Sequence, residues 1–260
     1  MTSLLSKEEF HRYSRHIILP QFGVEGQEKL KQSKVLVVGA GGLGVPILLY
    51  LAAAGVGKIG IVDFDHLEYS NLQRQVLYKT HEVGQGKAQL ARNFIGEQNP
   101  EIEIQVYQEW INSSNAMDIS KGYDLIIDGT DNFPTRYLLN DLAVIQKIPY
   151  VYGSIYRFEG QVSVFNYDNG PNYRDLYPEP PAPEIVPNCS EGGVLGVLPG
   201  IVGSIQALEA IKILTGIGEV LSGRLLTIDT LTNNYRSFKF KKKTDGYQIT
   251  ALIDYQQFCN

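Results

Sequence analysis

The residues able to do chemistry fall into a few short stretches. Gly39-Ala40-Gly41-Gly42-Leu43-Gly44 follows four apolar, mostly β-branched residues, Val35 to Val38, and Val45 to Gly57 continues as an apolar, alanine-rich helical pattern. A strand that breaks on glycines and re-forms as a helix turns backbone N–H groups toward whatever sits over the helix N-terminus. The helix dipole favours an anion there, usually a phosphate. Lys58 to Asp63 reads as the second strand, and Asp63 lies 24 residues after Gly39, about where a ribose-binding acid is expected. Gly39, Gly41, Gly42, Gly44 and Asp63 are therefore the candidate nucleotide-binding positions.

The stretch after the second strand, Asp63-Phe64-Asp65-His66-Leu67-Glu68-Tyr69-Ser70-Asn71-Leu72-Gln73-Arg74-Gln75, is unusually polar. A nicotinamide or flavin enzyme, the default owner of such a glycine fingerprint, rarely needs so much polar chemistry beyond the ribose acid. Asn71 and Arg74 are three apart, so one helical turn places them on the same side. Lys87 sits near the start of the helical pattern Ala88 to Gln98, where the dipole disfavours a cation unless an anion compensates. Arg74 and Lys87 together read as phosphate ligands in preference to surface ion pairs. Tyr123 to Asp128 is the next buried strand and leads into Gly129-Thr130-Asp131-Asn132. Ligands of open α/β sheets bind beyond the carboxyl ends of strands, so Asp131 is placed to meet the nucleotide. Either Asp131 or Asn132 also suits the N-cap of the helix that runs to about Gln146.

The elements that must position these residues belong to a large α/β unit. The chain has 260 residues, 43% of them hydrophobic, and a net charge of -5, which leaves no basic excess for a general nucleic-acid binder. Residues 35–57 carry no charge, but six glycines and Pro46 suit a buried strand–turn–helix better than a membrane span. Lys7, Glu8 and Glu9 precede any apolar run, against a secretory signal. Cys189 and Cys259 make no disulfide framework, which fits a reducing, cytoplasmic setting. Ser6 to Ile18 opens as an amphipathic helix with Phe10, Tyr13, Ile17 and Ile18 on its apolar side and Arg12 and Arg15 projecting from it. Pro20 ends that element, and Val24 to Gln32 reads as a second short helix. Glu101 to Tyr107 alternates like a half-exposed strand, and Pro149 to Tyr156 pairs with Gly160 to Tyr167. Residues 171–193 hold six prolines and read as a long exposed crossover loop. Ile201 to Leu214 is a strongly apolar helix, and Gly223 to Thr230 with Tyr235 to Lys241 forms a hairpin. Lys239, Lys241, Lys242 and Lys243 read as a solvated strand edge.

The fold class expected from this order is α/β and Rossmann-like. It has a mostly parallel central sheet with helices on both faces, C-terminal antiparallel strands and a long crossover loop. The segments RYSRHIILPQFGVEGQEKLKQSKVLVVGAGGLG, DFDHLEYSNLQRQ, VGQGKA, DGTDNFPTRYLLND, FEGQVSVF and NCSEGGVLGVLPGIVGSIQALEAIK, with the closing hairpin, fall in one order. In that order they resemble the MoeB/ThiF/HesA family, bacterial relatives of ubiquitin-activating enzymes, over nearly the whole chain. The resemblance implies ATP and Mg²⁺ in place of NAD, and adenylation of a small ubiquitin-like sulfur carrier ending in Gly-Gly. It implies that Gly41 and Gly42 cradle the nucleotide and Asp63 holds the ribose. Arg74 and Lys87 would stabilise charge spreading toward pyrophosphate, Asp131 would hold Mg²⁺, and Asn71 would lie near the phosphates. Arg15, in RYSR, matches the family arginine that reaches the ATP of the opposite subunit, so a homodimer is implied. Cys189 matches the family cysteine that bonds covalently to the carrier's C-terminus.

Two departures stand out. The first Cys-x-x-Cys zinc pair of many relatives falls on Asn172-Tyr173-Arg174-Asp175, and the second has no match in KKKTDGYQIT, so no zinc is expected. Residues 1–243 are expected to form the adenylation domain with its N-terminal helical arm, and 244–260 a tail. The closing ITALIDYQQFCN resembles the linker before a rhodanese-like sulfurtransferase domain in fused relatives, which makes such an enzyme an expected partner. The competing readings are an NAD(P)-dependent oxidoreductase, which leaves Asn71, Arg74, Lys87 and Asp131 unemployed, and a non-catalytic dimeric scaffold of the same fold.

Overall fold

In the computed structural model, residues 3–181, 192–244 and 246–259 are described. The apolar run before the glycines forms β1 (Lys34–Val38), and the helical pattern after them forms α4 (Gly44–Ala54). Gly55, at φ 84°, ends α4 in the left-handed region that favours glycine. β2 (Lys58–Val62) follows, then α5 (Lys87–Gln98), β3 (Glu103–Tyr107) and α6 (Ala116–Ser120). β4 (Leu125–Asp128) leads to α7 (Phe133–Gln146), β5 (Tyr150–Tyr156) and β6 (Glu159–Phe165). A short α8 (Tyr173–Leu176) precedes the long α9 (Leu198–Thr215), and the hairpin β7 (Arg224–Asp229) and β8 (Asn234–Lys239) is followed by α10 (Tyr255–Cys259).

The strands form one sheet in the order β3-β2-β1-β4-β5-β6-β7-β8. The first five are parallel and the remaining pairs antiparallel. Parallel strands covered on both faces read as continuous apolar runs, and side-chain alternation sorts them into two layers. Val35, Val37, Ile59, Ile61, Leu125 and Ile127 join the core beneath α4, α5 and α9. Leu36, Val38, Val62 and Ile126 join the opposite layer with α6 and α7. α9 is long and apolar enough to cross a membrane by length and composition, with a mean hydropathy of 1.2, but half of it is buried within the fold. It packs along α4, β5 and β6.

Three segments differ from their sequence reading. The N-terminal arm is two short helices, α1 (Lys7–Arg12) and α2 (Ser14–Ile17), ahead of α3 (Gly23–Gln32). The break falls at Tyr13. Its hydroxyl accepts from Asn99 Nδ2 at 2.9 Å, and its ring packs where a side chain on Gly55 would clash. Ile18, expected on the apolar side, is 66% exposed. The start of the proline-rich stretch is no exposed loop, because Tyr173, Arg174 and Asp175 are buried in α8. The C-terminal segment packs back on the domain: Tyr255 is buried and donates to Asp141 Oδ2 of α7 at 2.8 Å.

Candidate functional site

β1 and β4 are neighbours from which the chain leaves in opposite directions, toward β2 on one side and β5 on the other. A crevice at such a switch point is where open α/β sheets bind ligands. A cavity of about 680 Å³ opens here, beyond the carboxyl ends of β1, β2 and β4. Its floor is the glycine turn. Gly39 has φ 96°, and a side chain there would collide with the Gly129 carbonyl of the neighbouring turn. The two turns are tied by Gly129 N–H donating to the Val38 carbonyl at 2.7 Å, and the glycine turn is tied to the end of β2 by Gly39 N–H donating to the Val62 carbonyl at 2.8 Å. Gly41 and Gly42 line the cavity, and a side chain on Gly42 would press on Pro199 and Arg74. Gly44, expected among the ligand-binding glycines, is not part of the lining. It lies behind the turn, where a side chain would overlap the Gly39 carbonyl, so its smallness serves the packing of helix on strand.

Asp63 ends β2 and is nearly buried. Its Oδ2 accepts from Ala40 N–H at 2.6 Å and its Oδ1 from Asp65 N–H at 2.8 Å. Each oxygen retains acceptor capacity for a second donor, which suits a vicinal diol. Burial pushes its carboxyl above the usual range, while the two N–H donors and Lys87 pull it back. Tyr78 fastens the same corner: its buried hydroxyl donates to the Ala40 carbonyl at 2.7 Å.

Asn71 and Arg74 both line the cavity, one turn apart as the spacing predicts. Asn71 Oδ1 accepts from Glu68 N–H at 3.1 Å. Arg74 Nη1 donates to the Ser70 carbonyl at 3.2 Å, and the rest of its guanidinium has no partner among the described residues. Lys87 opens α5, and the anion that position requires is present: its Nζ lies 3.0 Å from Asp65 Oδ2. Asp131 is exposed at the cavity wall, without a hydrogen bond or ion pair among the described residues. The cap that competed for it is made by Asn132, whose Oδ1 accepts from Thr135 N–H at 2.9 Å.

Arg15 lies exposed on α2 and is not in the lining of its own chain's cavity. Cys189 lies outside the described residues. The sequence reading missed the aromatic rim, where Phe64 and Trp110 meet with ring centroids 4.5 Å apart. Trp110 follows β3, so the strand-end rule applied to that strand would have found it. The cavity's charge is also informative. Asp63, Asp65, Glu68, Glu109 and Asp131 line it against Arg74 and Lys87. A polyphosphate held here needs further positive charge.

The ThiF family profile matches residues 13–249. A Mycobacterium tuberculosis protein named probable adenylyltransferase/sulfurtransferase MoeZ is 58% identical over 261 residues, which cover 99% of this chain and 67% of that protein. The sulfur carrier protein adenylyltransferase of Thermus thermophilus is 49% identical over 265 residues, covering 98% of each. A crystal structure of E. coli MccB superposes with a TM-score of 0.80 over 94% of this chain and 75% of that one, at 20% identity, and so shows the fold.

Proposed function

The chain belongs to the ThiF family, and from that premise we propose that it is an adenylyltransferase of the ubiquitin-like-modifier-activating type. Its substrates are ATP and the C-terminal Gly-Gly carboxylate of a small sulfur-carrier protein. The observation that carries this reading is the convergence of Asp63, Arg74, Lys87 and Asp131 on one cavity beside the glycine turn.

One carboxylate oxygen of the carrier attacks the α-phosphorus, the bond to the bridging oxygen breaks, and pyrophosphate leaves with that electron pair. The product is a carrier acyl-adenylate. Gly41 and Gly42 give the phosphates access to backbone, and Asp63 accepts from the ribose hydroxyls. Arg74 and Lys87 stabilise charge moving toward the leaving pyrophosphate. Asp131 is the carboxylate that fits a hard, oxygen-seeking Mg²⁺, since it is exposed to the cavity and makes no hydrogen bond or ion pair among the described residues. Bound there with the phosphates, Mg²⁺ supplies charge neutralisation and alignment for in-line displacement. Asn71 donates its amide toward the same phosphates.

The acidic balance of the cavity also favours a further cation, and Arg15 of the partner subunit is our candidate in a homodimer. Cys189 is proposed to take the activated carrier as a thioester, its thiolate attacking the acyl carbon and AMP leaving with the electron pair of the broken acyl–oxygen bond, and a rhodanese-like sulfurtransferase is proposed as the sulfur source. The setting is cytoplasmic, and neither nucleic acid nor membrane takes part. Zinc has no place in this reading. Asn172 and Asp175 form a reciprocal cap, Oδ1 of Asn172 accepting from Arg174 N–H and Oδ2 of Asp175 from Asn172 N–H, both at 2.8 Å.

The test is carrier-dependent ATP–pyrophosphate exchange. Asp131→Ala is expected to lose about 4 kcal/mol of transition-state stabilisation, or about a thousandfold in rate, while its far-ultraviolet circular dichroism matches wild type. Near-normal exchange by the folded variant removes Asp131 from the mechanism.

A further inference from the structure

Behind the cavity wall lies a pair of buried charges that the reaction does not touch. Asp128, the last residue of β4, is fully buried. Its Oδ1 accepts from the backbone N–H of Thr130 at 2.8 Å and from the Thr130 hydroxyl at 2.6 Å. Its Oδ2 accepts from the Tyr150 hydroxyl at 2.7 Å, and Arg136 Nε lies 3.7 Å from the same oxygen. Its main-chain carbonyl accepts from Gln206 Nε2 of α9 at 2.7 Å. Arg136 is itself buried, with its guanidinium 5.0 Å from the Tyr152 ring centroid and 5.2 Å from that of Phe133.

A buried ion pair is poor value as a stabilising device, because desolvating both charges offsets most of their attraction. What this pair does locally is more specific. An aspartate that bonds the backbone two residues on makes an Asx turn, and the turn here is Gly129-Thr130-Asp131. On the far side, Asn132 caps α7. Asp131 is thus the one residue between two fixed points. An asparagine at 128 could accept from Thr130, but its amide would then face the donor-only guanidinium of Arg136, and Tyr150 would have to turn its hydroxyl to accept. Only a carboxylate accepts on both sides, and a charged acceptor makes these hydrogen bonds stronger.

We propose that Asp128, held by Arg136 and Tyr150, is the positioning residue of this site: it fixes the Thr130 turn so that the Asp131 carboxylate stays presented to the divalent cation. This rests on the reading of Asp131 as the metal-holding group. Partners that orient a ligand from behind typically contribute 10–100-fold in metal affinity.

The informative variant is the charge-balanced pair Asp128→Leu/Arg136→Met, which removes the acceptor for Thr130 together with the charge that pairs it; replacing both members of a buried pair by apolar residues is far better tolerated than removing one. Three quantities are read: the urea midpoint, deuterium uptake across residues 129–132, and Mn²⁺ affinity with ATP present, by electron paramagnetic resonance. The expected result is a midpoint near wild type, faster exchange across 129–132, and Mn²⁺ bound about tenfold more weakly, with metal-free ATP affinity unchanged. A folded double variant with wild-type uptake and wild-type Mn²⁺ affinity overturns the proposal. If the double variant does not fold, Tyr150→Phe removes one hydrogen bond and no charge, and about a fivefold loss of Mn²⁺ affinity is expected; no change there also overturns it. Asp131→Ala is titrated in parallel. Wild-type Mn²⁺ binding by that variant defeats the metal reading itself, while the uptake comparison still decides whether Asp128 holds the turn.

Discussion

Arg174→Met tests how the C-terminal segment is held. Arg174 of α8 is 3% exposed and donates to Asp141 of α7 through both Nε, at 2.8 Å, and Nη2, at 2.7 Å. Asp141 also accepts from Tyr255 and from Asn140 Nδ2. The guanidinium sits 4.6–5.0 Å from the ring centroids of Tyr137, Tyr247 and Phe258. Methionine keeps the apolar length and removes the charge. Breaking a buried pair costs about 3–5 kcal/mol, and the two neutral donors left on Asp141 argue for the low end, about 3 kcal/mol. With a urea slope near the upper end of the usual range, the midpoint should fall by about 1 M. Equilibrium urea unfolding followed by Trp110 fluorescence and by circular dichroism measures it. The double variant Arg174→Met/Asp141→Leu should recover most of the loss, because no buried charge is then left unpaired. A midpoint for Arg174→Met within about 0.2 M of wild type would refute the reasoning and show that the pair contributes little to stability.

Two further outcomes are expected. If Arg15 acts across a dimer, Arg15→Ala and Asp131→Ala proteins are each inactive in pyrophosphate exchange, but mixing subunits restores part of it; no recovery despite demonstrated mixing places Arg15 outside the partner's site. Glu9 is buried, which alone would raise its pKa, but the hydrogen bond and charge of Lys31 and the bonds from Ser6 outweigh this and hold it below the usual carboxylate range. A depressed folded value means that its stabilisation is fully present above the unfolded value of about 4.3 and is lost as pH falls through the folded one. The stability gap between wild type and Glu9→Gln should therefore be constant above about pH 5 and close below pH 4; a gap that widens in acid would contradict the pairing.

The strand–turn–helix around Gly39 was legible because each of its signals is local: β-branched residues, glycines where backbones meet, an alanine-rich run. Asp63 and Asp131 were legible as candidates because they follow strand ends, Arg74 because of its spacing to Asn71, and Lys87 because it stands at a helix start. The N-terminal arm was misread because helical periodicity cannot register a break imposed from outside. Tyr13 is held by Asn99 and Gly55, 86 and 42 residues away. α8 was hidden by the prolines around it, and its burial depends on Asp141, 33 residues upstream. The strand pattern already places Asp128 inside and Asp131 beyond the strand end, but not the partners of Asp128: those appear only when β4 is paired on both sides and Tyr150 arrives from β5.

The ion pair at Lys87 bears on how the site meets a polyphosphate. A lysine carries about 2 kcal/mol of rotamer entropy, which a phosphate ligand would otherwise have to overcome. Here Asp65 already holds the ammonium, and the Asp65 N–H in turn donates to Asp63. Asp63, Asp65 and Lys87 are therefore linked, so placing one places the others. Arg74 is arranged differently. One terminal nitrogen, Nη1, is held by the Ser70 carbonyl, and the remaining guanidinium donors have no partner among the described residues and lie in the planar array that suits phosphate oxygens. In the proposed reaction the two cations would divide the work accordingly. Lys87 is a point charge immobilised beforehand, shared with a half-exposed carboxylate that can yield to a stronger anion. In the proposed reaction Arg74 is the group whose hydrogen bonds would still be made, and such bonds contribute most where charge develops.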